Sequence, residues 1–160
     1  MELEEKVVEA LFRRHMTVTT AESCTGGLIA GTLVNAAGAS KVLCEGYITY
    51  SNEAKERLVG VQRETLENYG AVSAQTAKEM ALGAAKAAGA EAALSATGIA
   101  GPGGGTKEKP VGLVYIGCFV DGNVTVKECH FNGSRMENRL DTVKAALEML
   151  KERLVEEMPV

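Results

Sequence analysis

Apolar positions in the first fifteen residues fall on one stripe. Leu3, Val7 and Leu11 step by four, which predicts an amphipathic helix over 2–15. The period then changes. Residues 17–22 (TVTTAE) are short and β-branched, as in a strand, and the Gly/Ala-rich stretch 25–36 reads as the helix behind it. Residues 42–50 (VLCEGYITY) predict a second strand, and Ser51 is placed to cap a helix carrying Asn52 to Leu58. A short helix is expected over 63–69. Ser73 can cap the Ala-rich helix 74–88, which Gly89 ends. Residues 92–97 (AALSAT) form a nearly continuous apolar run, the pattern of a strand buried on both faces. Strands are expected over 110–120 and 123–131, joined by Asp121-Gly122, a dipeptide favoured in two-residue hairpin turns. Finally Met136, Leu140, Val143, Leu147, Leu150 and Leu154 step by four and three, predicting one buried face on a helix over 134–156.

Helices alternating with strands, followed by one hairpin, predict an α/β fold. Its sheet is mostly parallel with at least one antiparallel strand, and helices cover both faces. Ligands of such sheets gather beyond the carboxyl ends of the parallel strands. Three segments lie there: 22–27, 50–55 and 97–106.

Composition narrows this picture in a few respects. A length of 160 residues suits a single domain, 1–160, and no linker or repeat divides it. Aromatics make up 4% and Trp is absent, so the core must be aliphatic. A net charge of −4, with no basic, aromatic-interleaved stretch, argues against a nucleic-acid partner. The acidic, amphipathic start is unlike a signal peptide, and no apolar run approaches the roughly 20 residues of a spanning helix. A cytoplasmic protein without a membrane partner is expected. Cys24, Cys44, Cys118 and Cys129 are too scattered for a zinc site. A turn at 121–122 would pair Cys118 with Thr125 and Cys129 with Val114, holding the two sulfurs on the order of 13 Å apart, too far to bridge.

Candidate chemistry centres on Glu22-Ser23-Cys24-Thr25-Gly26-Gly27, between a strand and a helix. A hydroxyl there would face the positive end of a helix among unpaired N–H groups, a place that stabilises an oxyanion. On spacing alone Ser23 or Thr25 reads first as a helix cap, and Cys24 is either a rival nucleophile or a small buried side chain. A nucleophilic serine needs a proton acceptor. His15 ends a helix and His130 lies in a hairpin strand, so neither is expected at this face. GxSxG and SxxK patterns are absent. Lys55, near the start of the helix after the second strand, would have a lowered pKa if partly desolvated, as a base requires; on its own it also reads as a solvated lysine. Tyr50 can carry a hydroxyl to the same place. The stretch Thr97 to Thr106 holds five glycines and one proline, which suits a backbone cradle for an anion, though not a Walker loop. Arg135 and Arg139 are candidate phosphate or carboxylate clamps. No HxxH, HExxH or DxD cluster suggests a metal.

Taken in order, AESCTGG (21–27), GYITYSNEAK (46–55), YGAVS (69–73), TGIAGPGGGT (97–106), KPVG (109–112) and Phe131-x-Gly133-x-Arg135 resemble the CinA carboxy-terminal domain, also called the PncC nicotinamide-nucleotide amidase family. The resemblance covers about 15 to 150. It implies a three-layer α/β/α sandwich with a mixed sheet. It also implies hydrolysis of the carboxamide of nicotinamide mononucleotide to nicotinic acid mononucleotide and ammonia through a serine acyl-enzyme, with no cofactor. The family's serine, tyrosine and lysine map onto Ser23, Tyr50 and Lys55. Cys24, Thr25 and Gly26, the loop positions Thr97, Gly98, Gly101, Gly103, Gly104, Gly105 and Thr106, and Arg135 are the expected substrate-binding residues. Larger family members carry an additional amino-terminal domain, which is not expected within these residues and whose properties are not carried over. The alternative reading is a non-catalytic nucleotide-binding or regulatory module that leaves Ser23 as a cap. Self-association into a homo-oligomer is expected, since an apolar carboxy-terminal helix leaves surface that a second copy could cover.

Overall fold

The structure, a computed structural model, describes residues 1–156; the last four of the 160 residues assigned to the domain lie outside the described residues. Strands β1 (Val18–Glu22), β2 (Tyr47–Ile48), β3 (Ala92–Gly98), β4 (Leu113–Val120) and β5 (Asn123–His130) form one sheet in the order β2-β1-β3-β4-β5. β1 pairs in parallel with β2 and β3; β3–β4 and β4–β5 are antiparallel. Helices α1 (Leu3–Arg13), α2 (Leu28–Val34) and α6 (Arg135–Glu156) cover one face, and α3 (Asn52–Val59), α4 (Arg63–Tyr69) and α5 (Ala74–Ala88) cover the other. This is the expected three-layer α/β/α sandwich around a mixed sheet.

Sequence chemistry explains why the elements stop where they do. Ser51 Oγ accepts from the Ala54 N–H at 3.0 Å, and Ser73 Oγ from the Thr76 N–H at 3.1 Å, the two caps read from the sequence. Gly89 closes α5 with a left-handed φ of 64°. Asp121 and Gly122 both take positive φ, as a primed hairpin turn requires. The turn fixes the register, and Cys118 faces Thr125 while Cys129 faces Val114, so the two thiols stay apart. The larger core joins Val7 and Leu11 of α1, Ile29 and Leu33 of α2, and Val143, Leu147, Leu150 and Leu154 of α6 to Leu94, Ile116 and Cys118 of the sheet. Truncating Leu147, which is 1% exposed, to Ala would cost about 2–5 kcal/mol. The opposite core sets Ala21, Ala84, Ala85 and Ala93 beside Met80, Val59, Val61 and Leu66, and α5 lies close on the sheet at Gly117, where a Cβ would meet the Ala77 carbonyl oxygen at 2.6 Å.

Three expectations are corrected. Residues 42–50 are not one strand: Leu43 bridges Val18 singly, and only Tyr47–Ile48 pairs with β1. This edge segment is pulled in by the Thr19 hydroxyl on the Glu45 carbonyl, and Gly46 packs where a Cβ would meet Thr20 Oγ1 at 2.8 Å. The helix expected from residue 25 begins at Leu28, because Gly26 and Gly27, with φ of 55° and 102°, turn the chain first. On α6, Met136 and Leu140 are exposed; the inward positions at that end are Asn138 and Thr142. An apolar stripe could not reveal a buried face that turns polar.

Candidate active site

The carboxyl ends of β1, β2 and β3 open onto a cavity of about 300 Å³. Ser23 and Cys24 line it from the turn after β1; Tyr50, Asn52 and Lys55 come from the β2–α3 connection. Thr97, Gly98, Ile99, Ala100, Gly101, Gly103 and Gly104 come from the end of β3 and its loop, with Ala71, Val72 and Arg135 on the remaining sides. All three strand-end segments marked in the sequence therefore meet at one place.

Lys55 lies on the first turn of α3, and helix side chains lean toward the N-terminus. Its Nζ donates to the Thr49 carbonyl at 3.0 Å, the Tyr50 carbonyl at 3.4 Å and Ser23 Oγ at 3.3 Å. The side chain is 1% exposed and has no carboxylate partner among the described residues. Burial pushes its pKa below the ordinary 10.5, opposed weakly by the nearby Cys24. Ser23 is held on both sides of its Cα: its N–H donates to the Ala96 carbonyl at 2.9 Å, and its own carbonyl accepts from Gly26 at 3.1 Å. Its Oγ also lies 3.5 Å from the Tyr50 carbonyl.

Cys24 lines the cavity beside Ser23. Burial pushes its thiol up to about 11, which disfavours the thiolate that a cysteine nucleophile needs. Tyr50 does reach the site, but through its backbone: the carbonyl contacts Ser23 and Lys55, whereas the phenol accepts from Arg135 Nη2 at 3.2 Å. Arg135 also donates to the Gly101 carbonyl at 2.8 Å, linking the glycine loop to the Tyr50 side of the cavity. Arg139 is turned elsewhere, its Nε on the Cys24 carbonyl at 3.0 Å and its Nη2 on the Thr25 carbonyl at 3.2 Å. Of the two arginines, Arg135 faces the cavity and Arg139 braces the serine turn. Thr97 fixes the opposite wall by donating to the Ala71 carbonyl at 2.8 Å. The amides of Gly103 and Gly104 make no hydrogen bond to the described residues.

Four expected binding residues are not brought to the cavity. Thr25 is buried and gives its hydroxyl to Glu22. Gly26 faces Arg139, and Gly105 packs against the Val111 backbone. Thr106 forms a turn with Lys109. The expected field of unpaired helix donors is also absent: Glu22, fully buried, accepts from the Ile29 and Ala30 N–H groups at 2.7 and 3.1 Å. Glu22, Asn52, Ala71 and Val72 lie within the quoted motifs, which assign no role to them. Asn52 was the easiest to find, one residue past a recognised cap. His15 and His130 are both exposed and away from the cavity lining, as expected, with His130 on Glu128. No group of three or more His, Cys, Asp or Glu side chains that could hold a metal ion occurs among the described residues. No helix among them is long and apolar enough to cross a membrane.

A family model for the CinA C-terminal domain matches residues 1–154. The chain belongs to the CinA C-terminal domain family. The competence/damage inducible protein CihA from Agrobacterium tumefaciens superposes with a TM-score of 0.91 at 49% identity, over 95% of this chain and 93% of that one. The competence damage-inducible protein A (ComA) from Klebsiella pneumoniae subsp. pneumoniae gives 0.94 at 36% identity, over 98% and 97%. A relative in Clostridium novyi that bears a competence-damage inducible name is 56% identical over 153 residues, which is 96% of this chain but 37% of that protein. The chain thus spans a little over a third of the length of such curated relatives. The CinA-type fold accounts for the position of the cavity, and its chemistry rests on the side chains that line it.

Proposed function

We propose that this chain is a serine–lysine amidohydrolase that converts nicotinamide mononucleotide to nicotinic acid mononucleotide and ammonia. The observation carrying this reading is the 3.3 Å contact between Ser23 Oγ and a buried Lys55 Nζ whose other hydrogen-bond partners among the described residues are backbone carbonyls. A lysine paired with a carboxylate would stay charged; one desolvated without such a partner can be neutral and accept a proton.

In the first half-reaction the Ser23 hydroxyl adds to the amide carbon as Lys55 takes its proton. Lys55 then returns that proton to the amide nitrogen, the C–N bond breaks, and ammonia leaves. Water adds to the resulting ester, giving a proton to Lys55, which passes it back to Ser23 Oγ as the acid departs. The Ser23 amide is engaged by Ala96, so the oxyanion falls to backbone donors such as Gly98 or Cys24, both of which line the cavity. Arg135 and the unpaired Gly103 and Gly104 amides suit a ribose phosphate, which would hold the distant amide over Ser23. The phenol of Tyr50 orients Arg135 in this scheme, and proton transfer stays with Lys55.

Ammonia release from nicotinamide mononucleotide by the purified chain is the direct test. Turnover lost in Ser23→Ala with nucleotide affinity retained supports the amidase. Nucleotide binding without ammonia from the wild type would leave a binding or regulatory module.

A further inference from the structure

We infer that Glu22 is a positioning residue for the nucleophile, an internal anchor that sets the turn carrying Ser23. The inference rests on Ser23 being the nucleophile and deepens that reading. Glu22 is the last residue of β1 and is 0% exposed, yet no lysine or arginine pairs with it among the described residues. A buried carboxylate is tolerated only when its oxygens are met by donors. Three are supplied: Oε1 accepts from the Thr25 hydroxyl at 2.7 Å and the Ile29 N–H at 2.7 Å, and Oε2 from the Ala30 N–H at 3.1 Å.

This arrangement is unusual for a cap. A helix such as α2 is ordinarily capped by Ser, Thr, Asp or Asn at the position just before it, and here that position is Gly27, in a left-handed conformation with no side chain to offer. The cap comes instead from a strand residue, across the turn it encloses. One carboxylate therefore ties together the end of β1, the turn at Thr25 and the start of α2, with Ser23 the next residue in the chain. Arg139 holds the same turn from outside through the Cys24 and Thr25 carbonyls. The Ile29 and Ala30 N–H groups, which the start of α2 could otherwise offer a substrate, are spent on fixing this turn. Displacements of about 1 Å in a reacting group can cost roughly 100-fold in rate, so an anchor adjacent to Ser23 acts on turnover rather than on binding.

The test compares Glu22→Gln and the milder Thr25→Val with wild type, with Ser23→Ala as the blank. The rate at which a fluorophosphonate reagent labels Ser23 is measured alongside kcat and KM for ammonia release, at a temperature where each variant is folded. Glu22→Gln loses an acceptor because its amide nitrogen cannot accept. It is expected to label about tenfold slower or worse, with kcat falling in parallel and KM staying within about twofold. Thr25→Val, which removes one arm, should fall between the two. Wild-type labelling rates in folded Glu22→Gln and Thr25→Val, or a raised KM with unchanged kcat, would overturn the inference. If Glu22→Gln does not fold, Thr25→Val alone decides: slower labelling supports the anchor, an unchanged rate overturns it. Labelling that depends on Glu22 in a protein releasing no ammonia would sink the proposed substrate but not the anchor. A folded wild type that fails to label would sink both.

Discussion

The floor and the rim of the cavity are built on opposite principles. On the floor, Ser23 and Lys55 are 9% and 1% exposed and are surrounded by backbone carbonyls and each other. On the rim, Tyr50 is 61% exposed, and its phenol and a backbone carbonyl share the guanidinium of Arg135. Desolvation lowers the pKa of a lysine because the ammonium loses its water; an arginine at a wet edge keeps its charge. A nucleophile needs the first environment and an anionic handle on a substrate needs the second. In the proposed mechanism, this separation lets one small site combine proton transfer at Lys55 with anion recognition at Arg135.

Substitutions on the floor should therefore act on turnover. The largest loss is expected for Ser23→Ala, which removes the bond-forming oxygen: kcat should fall by about 10⁴-fold or more with nucleotide affinity near wild type, read by ammonia release and calorimetry. Near-normal turnover would make Ser23 a structural hydroxyl. Lys55→Met should lower kcat by roughly 10²- to 10⁴-fold, and Lys55→Arg should not restore it because guanidinium does not give up its proton.

The proposed mechanism makes Lys55 a base with a lowered pKa, so kcat/KM should rise with pH through a midpoint below 10.5 and then level off. The same shift has a sign in stability. Unfolded lysine keeps its proton to about 10.5 while folded Lys55 releases it earlier, so between those two values the unfolded state binds more protons. Wild type should accordingly gain stability over Lys55→Met as pH rises across that window, measured by paired urea melts. A flat difference would mean that Lys55 is not depressed in the folded protein, and the contrast between floor and rim would lose its electrostatic half.

Rim substitutions should act on binding. Arg135→Ala removes a cationic side chain on the rim that reaches both the glycine loop and Tyr50. A charge-assisted contact to phosphate is worth about 1.5–3 kcal/mol, so KM should rise about 10- to 100-fold with a smaller change in kcat. Loss confined to kcat would place Arg135 in the chemistry instead.

Much of this contrast was legible before the fold was known, and the gaps have physical causes. The three strand-end segments, the Ser51 and Ser73 caps and the hairpin register follow from local rules, and each is observed. The sequence names Glu22 in the candidate segment but gives it no role, because two of its partners, Ile29 and Ala30, are seven and eight residues away and meet it only after the glycine turn. The inward face of α6 was misread at its start because Asn138 and Thr142 are polar yet buried: Asn138 donates to the Ala100 carbonyl and Thr142 to the Asn138 carbonyl. Hydrophobic periodicity finds surfaces that pack against a core, and this end of α6 packs against loops. The strand expected over 42–50 failed for a related reason, since β-branched composition specifies pairing only where a neighbouring strand offers a register, and at this edge only Tyr47–Ile48 finds one. Ala71 and Val72 reach the cavity by tertiary packing alone, and their wall is held by Thr97.

The smallest effect is expected at Tyr50, where it separates two roles for one residue. A tyrosine placed between a serine and a lysine by sequence invites the role of proton relay. The side chain instead accepts from Arg135 at 3.2 Å, and what touches Ser23 and Lys55 is the backbone carbonyl, which phenylalanine also has. Tyr50→Phe should leave the pH midpoint of kcat/KM unchanged and lower kcat little. The lost contact is solvent-exposed and Arg135 keeps its 2.8 Å bond to Gly101, so the change lies at the low end of the roughly 0.5–1.5 kcal/mol typical of a hydrogen bond, about two- to fivefold in KM. In an Arg135→Ala background the same substitution should add nothing, because the group it orients is gone, and a double-mutant cycle reads that coupling directly. A fall in kcat of about 100-fold or more with KM unchanged, persisting without Arg135, would move Tyr50 from the rim to the floor as a relay.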